Sequence, residues 1–179
     1  MSGGQLPAYV DARRAFLQET ELQGTVELSR IPRFAETLAS ERAELEVRLD
    51  FAIADNGQRT ITGYIKADCD VTCQRCLEPM AVSWEDEVAL VLLDTEAQAK
   101  QLDSEWDPWI WTEPKMELAD LVEEQLLLSM PVVSYHGDGS CADKLGYIPN
   151  AETDSETSEA GRENPFAVLK ALKKGDGTD

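Results

Sequence analysis

The chain has 179 residues, of which 42% are hydrophobic and 28% charged, and its formal net charge is −19. This length and apolar content predict one folded domain with room for a tail, and they exclude a chain that is disordered throughout. The acidity argues against a basic surface that coats nucleic acid, because Lys and Arg carry phosphate binding. The single histidine, His136, limits catalysis built on imidazole.

Neither an export signal nor a membrane-spanning segment is recognisable in the sequence. The first ten residues lack a basic stretch followed by an apolar run. No run approaches the roughly 18 uninterrupted apolar residues that a spanning helix needs. We therefore expect a cytoplasmic protein, in which four cysteines are more typical of thiols or metal ligands than of disulfides.

Alternating apolar residues predict long β-strands in the first half of the chain. A strand over residues 22–28 is followed by a short helix with Ser29 as its N-cap. Apolar side chains then alternate over residues 45–53 and 60–71, on either side of Asn-Gly, which predicts a hairpin because both residues tolerate a positive φ. A third long strand is predicted over residues 80–93.

The motif Cys73-Gln74-Arg75-Cys76 lies between the second and third of these strands. Two thiolates at this spacing can bind one ion, and His136 with Cys141 would complete a Cys3His set typical of structural zinc. The two halves are about 60 residues apart, so the sheet must bring them together. The alternative is that these are ordinary residues near a loop. Cys69 is interpreted as a core residue of its strand.

Redox and hydrolytic chemistry fit the pattern less well. A thioredoxin-type site has its first cysteine at a helix N-terminus, where the dipole lowers the thiol pKa, whereas a strand follows this motif. The sequence contains no GxSxG, HExxH or P-loop motif, and Ser134 and Ser140 flank the histidine without a recognisable frame. We therefore expect that the protein is not an enzyme.

The acidity is concentrated in the second half of the chain. Residues 81–179 carry 7 Lys+Arg and 22 Asp+Glu, a net charge of −15, whereas residues 1–80 have a net charge of −4. Trp106, Trp109 and Trp111 lie among these acids. One interpretation is that one strand face packs Trp109 and Trp111 against the core. The other is that the three tryptophans form a docking surface for a basic partner.

A broad apolar stripe predicts a helix over residues 116–130, and Pro131 ends it. Residues 137–163 are rich in Gly, Ser, Thr, Asp and Glu, which predicts a disordered acidic linker. A short helix and tail are expected over residues 164–179.

Basic side chains near both ends and at the CxxC motif are candidate RNA contacts. Solvated surface charge is the alternative for most of them. The candidates are Arg13, Arg14, Arg75, Lys170, Lys173 and Lys174.

Three segments, taken in order, resemble the bacterial YceD family of large ribosomal RNA subunit accumulation proteins. They are CQRCLEPM at 73–80, VEEQLLLSMPVVSYH at 122–136 with Cys141 behind it, and NPFAVLKALKK at 164–174. The resemblance covers most of the chain. It implies a role in the synthesis, processing or stability of 23S ribosomal RNA, and it implies no catalytic residues. The three cysteines and the histidine match positions where family members carry Cys or His, which favours zinc.

The predicted architecture is α+β: an antiparallel sheet with long hairpin strands, a CxxC knuckle between strands and packed helices over residues 1–136, followed by the linker and the C-terminal helix. The predicted function is non-enzymatic support of 23S ribosomal RNA accumulation, by binding a basic ribosomal protein or large-subunit assembly factor through the acidic second half. The alternative is a direct binder of ribosomal RNA or its precursor, or a zinc-dependent RNA-processing factor. We expect no membrane partner and no small-molecule substrate.

Overall fold

The computed structural model describes residues 4–137 and Cys141. The chain divides into two units, Met1–Leu145 and Gly146–Asp179, and the described residues all lie in the first. The predicted linker, except Gly137 and Cys141, and the predicted C-terminal helix lie outside the described residues. The predicted domain boundaries therefore stay predictions.

Seven strands and four short α-helices form this described part of the chain. The strands are β1 (Tyr9–Asp11), β2 (Glu21–Thr25), β3 (Leu38–Ile53), β4 (Arg59–Thr72), β5 (Pro79–Leu93), β6 (Asp107–Ile110) and β7 (Lys115–Glu117). The helices are α1 (Ala12–Leu17), α2 (Pro32–Ala35), α3 (Glu96–Ala99) and α4 (Leu118–Ser129), with a 3₁₀ turn at Leu28–Arg30. Strands β2 to β6 form one sheet in chain order, and β1 pairs with β7 in a separate ribbon.

The two long hairpins β3–β4 and β4–β5 are the centre of the sheet, as the alternating pattern predicts. Neighbouring strands are antiparallel except β5 and β6, which are parallel. The first hairpin turns at Asn56-Gly57, where the Gly57 N–H donates to the Ala54 carbonyl at 2.8 Å and φ is +81°. A positive φ is inexpensive for glycine, so this residue suits the tight turn.

The core lies on one face of this sheet, under the helices. Helices α1 and α2 contact β3, and α4 contacts β4. Phe16 of α1 meets Phe51 of β3 edge to face at 5.4 Å between ring centroids, and Phe34 of α2 lies 6.3 Å from Trp84 of β5. Cys69 is fully buried in the same core, which confirms its predicted role.

Gly63 in the middle of β4 allows an unusually close approach of two backbones. Its φ is +150°, and a Cβ atom at this position would collide with the carbonyl oxygen of Arg48 on β3. Only a residue without a side chain fits this contact, so Gly63 fixes how closely β3 and β4 pack.

Helix α2 is capped from another element rather than by Ser29. Ser29 lies in the 3₁₀ turn, and the N-cap of α2 is Ile31, which makes no side-chain capping bond. Instead Glu123 of α4 accepts from the backbone N–H groups of Arg33 and Phe34 at 2.7 and 3.2 Å. The Ser29 prediction was wrong because a long-range carboxylate satisfies the free N–H groups of this helix.

Several other elements differ from the sequence expectations. Helix α1, which Asp11 caps by accepting from the Arg14 N–H at 2.9 Å, was not predicted. The predicted strand over 22–28 ends at Thr25, and residues 115–117 form β7 instead of the first turn of α4. Helix α4 does end before Pro131, as expected. No helix within residues 4–137 is long and apolar enough to cross a membrane.

Candidate metal centre

The structure brings together all four predicted ligands. One ligand atom from each of Cys73, Cys76, His136 and Cys141 lies within 4.8 Å of the other three. Cys73 and Cys141 are buried, while Cys76 and His136 are half-buried. The cluster therefore unites the turn between β4 and β5 with the segment that follows α4, although about 60 residues separate them in the chain.

The turn that carries the first two cysteines is a compact knuckle formed by residues 73–78. The Cys73 N–H donates to the Glu78 carbonyl, and the Leu77 N–H donates to the Cys73 carbonyl, each at 2.9 Å. Leu77 closes the turn in the left-handed region with φ +62°, and its side chain is 75% exposed. These bonds and this reversal aim both thiols to the same side of the turn, where one ion can reach them.

The segment after α4 is fastened to the knuckle by contacts from Gln74 and Arg75. The Gln74 backbone N–H donates to the Ser134 carbonyl at 2.9 Å, and its side-chain amide donates to the Val132 carbonyl at 3.1 Å. The Arg75 guanidinium lies 4.9 Å from the ring centroid of Tyr135, a cation–π contact. The sequence gives no local signal for these contacts, because the partners meet only in the folded chain.

The thiols of the two knuckle cysteines ionise unequally. Burial raises the pKa of the Cys73 thiol, but backbone N–H groups around its sulfur, led by that of Cys76, outweigh burial and lower this pKa to about 5. The backbone N–H of Glu78 lowers the pKa of Cys76, but burial and the neighbouring thiolates of Cys73 and Cys141 together raise it. The site therefore favours the thiolate of Cys73 and, without a nearby cation, opposes ionisation of Cys76.

The donor set fits a zinc ion. Zinc bonds of about 2.3 Å to sulfur and 2.0–2.1 Å to nitrogen, in a tetrahedron, separate neighbouring ligand atoms by about 3.5–3.8 Å. The Cys76 Sγ and His136 Nδ1 atoms are 3.6 Å apart. Thiolates and imidazole suit zinc and disfavour magnesium and calcium, which prefer oxygen ligands. These four residues could hold a metal ion, as the motif spacing predicted.

The three tryptophans of the acidic segment are all half-buried. Trp109 of β6 and Trp111 just after it pack against the core. The Trp111 indole N–H also donates to the carbonyls of Glu113 and Lys115 at 3.0 and 3.1 Å. The packing interpretation is thus supported for Trp109 and Trp111, while a docking role for the three tryptophans stays a prediction.

The candidate RNA contacts do not form one patch among the described residues. Arg13 and Arg14 are exposed on α1 and, with Trp111, line a depression of about 620 Å³. Arg75 lies instead at the knuckle, where its guanidinium also donates to Cys141 Sγ at 3.7 Å. The predicted contacts Lys170, Lys173 and Lys174 lie outside the described residues.

Comparison with known proteins gives the family. The family described as "Large ribosomal RNA subunit accumulation protein YceD" matches residues 61–173. This range is more than half of the chain and contains all four candidate ligands, and the chain belongs to the YceD family. It is also 27% identical over 176 residues to a Haemophilus influenzae protein named "Large ribosomal RNA subunit accumulation protein YceD", covering 95% of this chain and 97% of that one. No solved structure is a significant match.

Proposed function

We propose that this protein is a cytoplasmic, non-enzymatic ribosome biogenesis factor that supports the accumulation of 23S large-subunit ribosomal RNA. The observation that carries this proposal is the family match over residues 61–173, together with the near full-length similarity to a relative named for large ribosomal RNA subunit accumulation. Accumulation covers synthesis, processing and stability of the RNA, any of which a binding protein can influence without catalysis.

The proposed mode of action is binding to a basic ribosomal protein or assembly factor. The net charge of −15 over residues 81–179 favours such a partner and opposes coating of RNA. Within that half, the segment containing Trp106, Trp109 and Trp111 combines tryptophans, which are enriched at interface hot spots, with acids that would select a basic partner.

We further propose that Cys73, Cys76, His136 and Cys141 bind one structural zinc ion. The ion supplies a cross-link and no reaction step, so the work of these residues is to join the knuckle to the segment after α4. Native mass spectrometry of gently purified, reduced protein tests this proposal and should find one zinc per chain. Cys76→Ser should lose the zinc, while Cys69→Ala, which changes a buried cysteine outside the cluster, should keep it. Wild-type protein purified without zinc would refute the assignment.

The cellular role is tested by deleting the gene and measuring the ratio of 23S to 16S ribosomal RNA. We expect this ratio to fall and to recover when the wild-type gene is restored. An unchanged ratio in the deletion strain would contradict the proposed function.

Capture experiments distinguish a protein partner from a direct RNA partner. Tagged full-length protein is recovered from cell extract with and without nuclease treatment. Retention of a large-subunit ribosomal protein or assembly factor after nuclease treatment supports the protein-partner mechanism.

Direct RNA contact through Arg13, Arg14 and Arg75 is the second candidate, favoured by the exposure of Arg13 and Arg14 on α1. It predicts that nuclease releases the captured partners. It also predicts that purified protein binds 23S fragments with an affinity that falls steeply as salt rises. Arg13→Glu with Arg14→Glu should then abolish RNA binding.

A further inference from the structure

A groove of about 1050 Å³ lies between β3 and the segment that contains the 3₁₀ turn and α2. Its walls include buried Val26 and Leu45 and half-buried Leu28, Leu38 and Ala43. The groove belongs to the first half of the chain and is separate from both the metal cluster and the tryptophan segment. Its apolar walls and open shape suit an extended peptide more than a small polar ligand.

One wall of this groove is an edge of β3 that no described strand covers. Strand β2 pairs with β3 only from Glu46 to Asp50, because β2 ends at Thr25. The Val26 N–H donates to the Leu45 carbonyl at 3.3 Å, and the Phe51 N–H donates to the Thr20 carbonyl, so odd-numbered residues of β3 direct their backbone groups toward this side.

Because backbone direction alternates along a strand, the N–H and C=O groups of Ala43 face the groove. Beyond Ala43, the pairing register of β3 with β4 shifts, and Ser40 and Arg42 bind Asp70 on β4. The available edge is therefore short. It offers backbone hydrogen bonds to a few residues of an extended segment.

The charge around the groove is of one sign. Five of its lining residues are exposed glutamates and none is Lys or Arg; the glutamates are Glu27, Glu36, Glu41, Glu44 and Glu46. The arginines that are nearby in sequence bind groups outside the groove. Arg30 donates to the carbonyls of Leu6 and Pro7, and Arg33 and Arg42 pair with carboxylates outside the groove. Arg42 interacts electrostatically with Glu44, but no Lys or Arg lines the groove, so the five carboxylates give it a net negative field that attracts cations.

We infer that this groove binds an extended Lys/Arg-rich segment of a partner protein, with the segment's backbone against the β3 edge at Ala43 and its cationic side chains among the five glutamates. The inference deepens the proposed function and rests on it for the class of partner. It assigns a docking surface in the first half of the chain, whose net charge of −4 hides this local concentration of acids.

Fluorescence anisotropy with purified full-length protein tests the inference. The probe is a synthetic peptide of about 12 residues that alternates Lys or Arg with Val or Thr, and its control replaces every cation with Glu. We expect the basic peptide alone to bind, with a dissociation constant of about 100 µM or tighter at low salt. Glu41→Lys with Glu44→Lys should weaken binding at least about tenfold. Ala43→Pro, which removes the edge N–H, should weaken it as well.

Glu85→Lys with Glu87→Lys is the matched control, since it reverses two exposed acids on β5 that lie outside both the groove lining and the tryptophan segment. Unchanged peptide binding in this variant supports the groove. Absence of binding by the wild-type protein overturns the inference, and so does loss of binding in this control with full binding in the Glu41/Glu44 variant. If ribosomal proteins are captured after nuclease treatment but the peptide does not bind, the inference about the groove is wrong and the proposed function is retained. If the peptide binds in the groove but no ribosomal protein is captured, the inference about the groove is supported and the proposed class of partner is wrong.

Discussion

At the centre of the five-stranded sheet, buried apolar side chains hold the strands and helices together, whereas the knuckle end gathers three cysteines and a histidine. Phe34, Leu49 and Ile61 in the centre are fully buried. At the knuckle end, Leu77 and Val132 are 75% and 90% exposed. The polar contacts from Gln74 and Arg75 are the main protein contacts described there.

Because of this difference, the stability of the sheet centre and that of the knuckle end depend on different conditions. Burial of apolar surface stabilises the centre whenever the chain is in water. At the knuckle end, Cys73 and Cys141 are buried but Leu77 and Val132 are exposed, and the Cys76 thiol, whose pKa is raised, ionises more readily beside a cation. We therefore expect the centre to persist without metal and the knuckle end to require it.

The largest effect should follow from Gly63→Ala, at the centre. The new Cβ would meet the Arg48 carbonyl oxygen, so the strands must separate, and we expect the free energy of unfolding to fall by about 3 kcal/mol or more. Gly57→Ala is the matched control, because Gly57 also has a positive φ but has open space around it, and it should cost only about 1 kcal/mol. Denaturant unfolding measures both variants. Equal losses would show that the close approach of the strands is unimportant.

The next effect concerns the carboxylate that caps α2. Glu123→Ala leaves the Arg33 and Phe34 N–H groups without their acceptor at a site where Glu123 is only 6% exposed. We expect a loss of about 2–3 kcal/mol in the free energy of unfolding. Glu124→Ala removes only a partly exposed ion pair with Arg33 and should change stability little. A neutral Glu123→Ala variant would contradict the capping role.

A smaller effect, of opposite sign, is expected at the knuckle. Leu77→Gly relieves a left-handed conformation without loss of packing, so zinc-loaded protein should gain up to about 1 kcal/mol in the free energy of unfolding. Leu77→Val should lose about 1–2 kcal/mol, because β-branched residues tolerate this region poorly.

Glu19→Gly provides the matched test away from the knuckle end, since Glu19 has φ +47° in the turn before β2 and is exposed. In metal-free protein the Leu77→Gly gain should disappear while the Glu19→Gly gain remains. If both gains survive removal of the metal, the knuckle end does not depend on it.

The smallest effect should appear as a pH dependence at Asp70 on β4. Hydrogen bonds from Arg42 and Ser40, at 2.6 and 2.9 Å, lower the pKa of Asp70 below its ordinary 3.8. Because the folded pKa is lower than the unfolded one, this carboxylate stabilises the fold above pH 3.8 and loses that contribution as pH falls further. Asp70→Asn should flatten the acid limb of stability between about pH 4 and pH 2. If stability falls with acid in the same way in Asp70→Asn as in the wild-type protein, the hydrogen bonds from Arg42 and Ser40 to Asp70 do not stabilise the fold.

Strand alternation and motif spacing predicted the parts of the molecule that repeat regularly or carry distinctive chemistry. The hairpin around Asn56-Gly57, the long strand β5 and helix α4 follow from hydrophobic periodicity. The ligand set of two cysteines near residue 75 with His136 and Cys141 follows from the rarity of these residue types and their donor chemistry.

The remaining features depend on contacts between distant residues, which no local pattern encodes. Glu123 lies 90 residues from the Arg33 N–H that it accepts from, so the helix start at Pro32 could not be located from nearby capping residues. The parallel pairing of β5 with β6 and the groove beside Ala43 likewise arise from the packing of whole strands. Net charge by halves does not reveal the five glutamates of the groove, because the sequence does not show that Arg33 and Arg42 pair with carboxylates outside it.

Hydrogen exchange with and without zinc tests the central claim most directly. Reduced full-length protein is compared in its zinc-loaded and chelator-treated forms. We predict that the Gln74 and Leu77 amides, which bond to Ser134 and Cys73, lose protection at least about tenfold when zinc is removed. Protection of Ile61 at the centre of the sheet should change by less than about twofold. Equal loss at both regions, or no loss at the knuckle, would contradict the claim that zinc holds the knuckle end.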